Sequence, residues 1–198
     1  MSGQASGKKN ILLTGRPGIG KTTVIAEVLR GLKGVSASGF YTREIRPART
    51  REGFEAITLE DKRAVLAHIK SPSQHRVSKY GVELAEFEAT IVPAIEPALT
   101  EAEVIVIDEI GKMECFSAKF REAVVRALDS DKVVLGTIGL GGDKFIRALK
   151  ERDDVLLMKV TEGNRDDLVR SLRRALSERL DAMGKANHLR PADEAPAL

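Results

Sequence analysis

Gly15-Arg16-Pro17-Gly18-Ile19-Gly20-Lys21-Thr22 fits the spacing G-x-x-x-x-G-K-[ST] without a mismatch. Its flanks decide the fold. Upstream, the apolar run Ile11-Leu12-Leu13 predicts a buried strand. Downstream, Val24, Ile25, Val28, Leu29 and Leu32 recur at i, i+3 and i+4 and predict an amphipathic helix. Strand, glycine turn and helix is the order in which backbone N–H groups can converge on phosphate oxygens. The glycines leave no Cβ in the way, and the helix N-terminus adds roughly half a positive charge. Lys21 is then placed to reach the β- and γ-phosphates, and the Thr22 hydroxyl to ligate Mg²⁺. The stretch, with Thr23 after it, predicts a nucleoside-triphosphate site that takes Mg²⁺ as cofactor.

Beyond that helix, Gly39 to Ile45 and Gly53 to Leu59 read as strands joined by the basic segment Arg46 to Glu52, a hairpin. Ala64 to Ile69 extends it to a small meander, an addition of about residues 39–70 that is antiparallel and not a separate domain. Val82 to Leu99 carries Leu84, Phe87, Ile91, Val92, Ile95 and Leu99 at helical spacing, with Pro93 and Pro97 expected to bend or divide the helix. Val104 to Ile107 is β-branched throughout and predicts a strand buried on both faces. Ser117 is a candidate cap for a helix carrying Phe120, Val124 and Leu128. Strands are expected at Val133 to Ile138 and Val155 to Val160, with a short helix at Asp143 to Glu151 between them. A last helix opens at Asn164 or Asp166 and runs through Leu180. The pattern predicts a doubly wound α/β sheet with the ligand at the carboxyl ends of its strands. Residues 1–9 read as a flexible leader, 10–183 as one domain and 184–198 as a disordered tail.

Asp108 and Glu109 end the β-branched strand. A carboxylate at that place can hold Mg²⁺, which keeps several waters and needs few protein ligands; the plainer role for Asp108 is to cap the next helix. Glu109 can act as the base for an attacking water, or simply favour a helix N-terminus. Such an acidic pair resembles the P-loop ATPases in which an extra strand separates the P-loop strand from the acidic one. A base beside the γ-phosphate suits hydrolysis and would be wasteful in a nucleotide kinase. Thr137 can sense the γ-phosphate or its water, or be a β-branched core residue. Asn164 and Arg165 can meet a base by hydrogen bond and by stacking, or be a cap and a surface charge. Arg43, Arg46, Arg49 and Arg51 crowd the hairpin; each is a candidate phosphate ligand or part of a charged edge that blocks strand pairing. His68, His75 and His188 are scattered and Cys115 stands alone, so no metal-ligand spacing arises from them. No [NT]-K-x-D guanine-reading segment follows a strand.

GRPGIGKTT, GFYTREIR, REGF, YGVELAEFE, VIDEIGKME and TEGNRD, in this order from about Asn10 to Leu180, resemble the THEP-type nucleoside-triphosphatases. The resemblance implies a RecA-like P-loop domain with added strands. It also implies slow hydrolysis of the γ-phosphate of ATP, GTP and other nucleoside triphosphates with little base discrimination. Carried over by position, the nucleotide site comprises Gly15 to Thr22 with Asp108 and Glu109. Lys112, Glu114, Asn164 and Arg165 fall on motif positions without a derived role. Arg46, which ends GFYTREIR, and Arg51, which precedes Gly53-Phe54, are the candidates for an arginine that folds back over the γ-phosphate.

The 198-residue chain is 42% apolar and 31% charged with a formal net charge of +3, the composition of an ordinary globular protein. So mild a basic excess does not by itself point to nucleic acid or a membrane. Aromatics at 4% and the absence of Trp disfavour a nucleic-acid partner. No apolar run approaches the roughly 18 residues of a membrane span, and no signal-peptide pattern is seen. A cytoplasmic monomer whose partners are nucleoside triphosphates is the expectation. The alternatives are a nucleotide or small-molecule kinase on the same loop, and a triphosphate-binding adaptor or RNA-associated switch.

Overall fold

The computed structural model describes residues 8–47 and 49–182. The expected tail and all of the expected leader but Lys8 and Lys9 lie outside these residues. Those two lysines are tied down: the Lys8 ammonium donates to the Val155 carbonyl at 3.2 Å, and that of Lys9 to the Leu128 carbonyl at 2.6 Å.

In chain order the strands are β1 (Asn10–Thr14), β2 (Ala37–Ile45), β3 (Gly53–Thr58), β4 (Arg63–His68), β5 (Arg76–Val77), β6 (Tyr80–Val82), β7 (Val104–Ile110), β8 (Val133–Ile138) and β9 (Val155–Lys159). The helices are α1 (Lys21–Arg30), α2 (Leu84–Thr90), α3 (Val92–Glu101), α4 (Ala118–Asp129), α5 (Lys144–Lys150) and α6 (Arg165–Ala182). All the strands join one sheet in the order β5-β6-β4-β3-β2-β7-β8-β1-β9. From β2 to β9 every pairing is parallel, and from β2 to β5 every pairing is antiparallel. The meander is thus an antiparallel extension of the same sheet, as its run of consecutive strands without helices predicts, and β8 separates β1 from β7.

The period-two geometry of the central strands sorts their side chains into two layers. Ile11, Leu13, Val104, Val106, Val133 and Leu135 face α1 and α6. Leu12, Phe40, Ile105, Ile107 and Val134 face α2 to α5. In that second layer Phe40, Phe87 and Phe120 meet edge-on, with ring centroids 5.3–6.0 Å apart, the arrangement aromatic quadrupoles favour. Ser117 caps α4 by accepting from the Phe120 N–H at 3.0 Å, and Asp143 caps α5 by accepting from Ile146 N–H at 3.0 Å.

One expectation needs correction. The helix read from Val82 begins at Leu84, because Tyr80–Val82 is a strand: Val82 is β-branched and pairs with Ala67 of β4. The expected division of the helical run occurs at Ile91, between α2 and α3 and just ahead of Pro93, while Pro97 lies inside α3. The pieces β5 and β6 are too short for periodicity to announce them.

Candidate nucleotide site

The end of β1 delivers the chain into the glycine loop. Val160 N–H donates to the Thr14 carbonyl at 2.8 Å, anchoring the strand end, and Val24 N–H donates to the Gly20 carbonyl at 2.9 Å, which starts α1. Gly18 and Gly20 adopt φ of 76° and 96°, a region that L side chains avoid. Arg16 and Thr23 are exposed and Thr22 is half-buried, but Lys21 is only 8% exposed. The Lys21 ammonium points at the end of β7, where it lies 3.8 Å from Glu109 Oε2.

Asp108 stands opposite, 1% exposed. The Thr137 hydroxyl, from β8 between the two strands, donates to Asp108 Oδ1 at 2.5 Å. Thr137 therefore acts through Asp108. Asp108 Oδ2 is buried and has no hydrogen-bond partner, and the same holds for Thr14 Oγ1. Burial, with a smaller push from Glu109, raises the Asp108 carboxyl against the Thr137 and Thr22 hydroxyls and the Lys21 ammonium, and leaves it at about 6. An orphaned, desolvated carboxylate oxygen beside the Thr22 hydroxyl is a fit for a divalent cation, which would satisfy the oxygen and favour its charged form.

A carboxyl that periodicity does not single out completes this end of the sheet. Glu114 is 5% exposed, in the 3₁₀ turn Glu114–Phe116 that follows β7. Its Oε2 accepts from the Gly111 N–H at 3.1 Å. Burial first, and then Glu109, push it up to about 8. Gly111 is wedged between the two acids: a Cβ there would lie 2.7 Å from Glu114 Oε2 and 3.1 Å from Glu109 Oε1. The signal available beforehand was an acid flanked by apolar Met113 and Cys115.

The remaining candidates fall in two places. Arg165, the first residue of α6, lies across the glycine loop, where a Cβ on Gly20 would be 3.2 Å from its Cδ and 3.4 Å from its Nη1. Asn164 organises the preceding turn: its Oδ1 accepts from Thr161 N–H at 2.8 Å and its Nδ2 donates to the Lys159 carbonyl at 2.9 Å. Both ends of its amide are thereby engaged with backbone. The hairpin arginines sit further out. Tyr41 of β2 is level with Asp108, so Thr42 to Ile45 carry the strand roughly 13 Å beyond the carboxyl edge. There Arg46 pairs with Glu44. Arg51 donates to Glu44 at 2.7 Å and to the Tyr80 hydroxyl at 3.0 Å, and its guanidinium lies over the Phe54 ring at 5.2 Å.

A family model described as NTPase matches residues 10–173. The chain is 44% identical to "Nucleoside-triphosphatase THEP1" of Thermotoga maritima over 162 residues, 82% of this chain and 92% of that protein. It is 37% identical to the human "Cancer-related nucleoside-triphosphatase" over 176 residues, 81% of this chain and 93% of the other. The crystal structure of THEP1 from Aquifex aeolicus superposes with a TM-score of 0.74 at 34% identity, covering 82% of this chain and 96% of that one.

Proposed function

This chain belongs to the NTPase family, and on that premise we propose that it hydrolyses nucleoside triphosphates to the diphosphate and inorganic phosphate. The observation that carries the reading is the pair Lys21 and Glu109, a cation and a base 3.8 Å apart at the mouth of the glycine loop. A γ-phosphate entering that space meets Lys21 on one side and Glu109 on the other. Glu109, whose side chain is 34% exposed, has access to water, whereas Asp108 is sealed in. Glu109 accepts a proton from the attacking water as the new O–P bond forms, and the bridging P–O bond breaks toward the diphosphate. Lys21 and the backbone N–H groups of the glycine loop stabilise the charge spread over the phosphate oxygens. Thr22 and Asp108 would hold Mg²⁺, which supplies charge neutralisation at the β- and γ-oxygens. Thr137 keeps the Asp108 carboxylate aimed.

Weak base selectivity follows from the same arrangement. The Asn164 amide is spent on its own turn, which leaves Arg165 as the base contact, and a guanidinium plane stacks on any base. A cytoplasmic monomer without a nucleic-acid partner is part of this reading; among the described residues no helix is long and apolar enough to cross a membrane. The test is phosphate release from a purine and pyrimidine triphosphate panel, with Mg²⁺ and with chelator, and with nucleosides as acceptors. Turnover within about tenfold across the panel, ~1.4 kcal/mol, and lost with chelator, is the expected result. Phosphate transfer to a nucleoside in place of release would make the chain a kinase.

A further inference from the structure

A second cleft lies outside the glycine loop. It is bounded by the β5–β6 hairpin, the turn that follows β7 and the first residues of α4 and α5, and encloses about 350 Å³, within the roughly 300–1,000 Å³ range of small-molecule sites. Its charge is unbalanced. Arg76, Lys112 and Arg121 line it, against the single carboxylate of Asp143. Asp143 is already committed, because Arg121 Nη2 donates to its Oδ2 at 2.9 Å. Arg76 donates only to backbone carbonyls, those of Ser71 at 3.3 Å and Lys79 at 2.8 Å. These bonds fix the guanidinium without neutralising it. Among the described residues no carboxylate pairs with Arg76 or with Lys112. Two cations thus face one concavity, one of them pre-oriented.

The wall is apolar where the charges are not. Phe116 is 41% exposed, an unusual position for a phenyl ring in a chain this poor in aromatics. The His75 ring lies beside it, centroids 5.3 Å apart and tilted by 48°. Unpaired cations and an exposed phenyl ring lining one cleft suit a ligand that carries both an anionic group and a flat ring. An arginine whose guanidinium is held by carbonyls keeps further N–H donors for a planar pair of phosphate oxygens, while Lys112 supplies a mobile point charge.

We propose that this cleft is a second ligand site, separate from the glycine loop, for a small phosphate monoester with a ring body, in which Arg76 and Lys112 take the phosphate and Phe116 the ring. It neither requires nor replaces the hydrolase reading, since neither cation has a part in the glycine loop.

Adenosine monophosphate and inorganic phosphate are the probes, titrated calorimetrically into the full chain. Lys21→Ala disables the glycine loop, and Arg76→Ala, Lys112→Ala and Phe116→Ala alter the cleft. All three cleft residues are exposed, so the folded chain is retained, which a thermal melt verifies. The expected result is that the monophosphate binds Lys21→Ala as it binds the unaltered chain. Each cleft substitution weakens binding at least tenfold for the two cations and at least threefold for Phe116. Inorganic phosphate binds more weakly than the monophosphate and is indifferent to Phe116→Ala. Binding that disappears in Lys21→Ala, or that ignores Arg76→Ala and Lys112→Ala, places the ligand in the glycine loop and overturns the proposal. Inorganic phosphate binding as tightly as the monophosphate overturns the assignment to a ringed ester. Triphosphate hydrolysis by Arg76→Ala, assayed in parallel, is expected at the unaltered rate and reads the hydrolase function separately.

Discussion

Thr137 donates its hydroxyl to Asp108 Oδ1 across the β8–β7 boundary at 2.5 Å, and in doing so leaves Oδ2 as the free face of the carboxylate. Thr137→Val keeps the shape and removes the donor, so Oδ1 loses its partner in a dry site. A hydrogen bond to a charged group is worth ~1.5–3 kcal/mol. We expect the Mg²⁺ concentration for half-maximal phosphate release to rise by about tenfold, equivalent to ~1.4 kcal/mol. An unchanged Mg²⁺ titration would detach Thr137 from the cation site.

Lys21→Ala is expected to abolish hydrolysis and weaken triphosphate binding, because it removes the buried cation proposed to meet the γ-phosphate. Glu109→Gln preserves the shape and removes the base. Loss of a positioned base costs ~10²–10⁴ in rate, with Mg²⁺-triphosphate affinity near normal. Asp108→Asn should differ by weakening the Mg²⁺ dependence itself. Single-turnover phosphate release with equilibrium nucleotide binding separates the three, and a Glu109→Gln rate equal to that of the unaltered chain would remove Glu109 from the chemistry.

The hairpin arginines should part company. Arg51 is bonded to Glu44 and Tyr80 and lies over Phe54, so Arg51→Ala is expected to lower stability by about 1–2 kcal/mol. Arg46 is held by Glu44 alone among the described residues and is half exposed, with 51% of its side chain accessible. If Arg46 is the arginine that closes over the γ-phosphate, Arg46→Ala lowers kcat by at least tenfold with an unchanged melting temperature. Arg43→Ala, whose guanidinium pairs with Glu55 at 2.7 Å, is the control on the same element. Equal, near-normal rates for all three would make the hairpin a charged edge.

Glu114 should leave a mark on stability against pH. Its folded carboxyl is pushed up to about 8, above the usual carboxylate value, by burial and then by Glu109. The folded chain therefore binds more protons than the unfolded one between those two values, and stability must fall as pH rises through that window. The contribution is fully present below about pH 4.5 and lost as pH passes about 8. Glu114→Gln keeps a carbonyl for the Gly111 N–H and cannot ionise. Thermal melts from pH 5 to 9 should be flatter for this variant than for the unaltered chain, and parallel curves would contradict the buried neutral acid.

The parts of the site legible in the sequence were those with a local signature. Glycine spacing marks Gly15 to Thr22, and a β-branched run marks the strand that ends at Asp108-Glu109. The insertion of β8 between β1 and β7 also follows, because an acidic pair of that kind resembles enzymes built in that way. Contacts that depend on tertiary approach were not legible. Thr137 could be read either as core or as a phosphate sensor, since nothing local says that its hydroxyl meets a buried carboxylate. Glu114 looks like any acid in a loop until the fold buries it against Gly111. Asn164, offered as a base contact, is turned back onto Thr161 and Lys159, a geometry set by where β9 ends relative to α6.

The order of the strands also sets when the protein can begin to work. β1 precedes the other described strands in the chain, and it is hydrogen-bonded on one side to β8 and on the other to β9, the two that come last among them. A nascent chain that has reached Glu109 already contains the glycine loop and both carboxylates proposed for the site, yet has nothing to lodge between the two halves. The catalytic groups must wait for Thr137 and then for Val155 to Lys159 before they face one another. Partial synthesis products are therefore expected to be inert toward nucleoside triphosphates. A C-terminal truncation that removes β9 and α6 should lose activity completely even though every residue of the chemical centre remains.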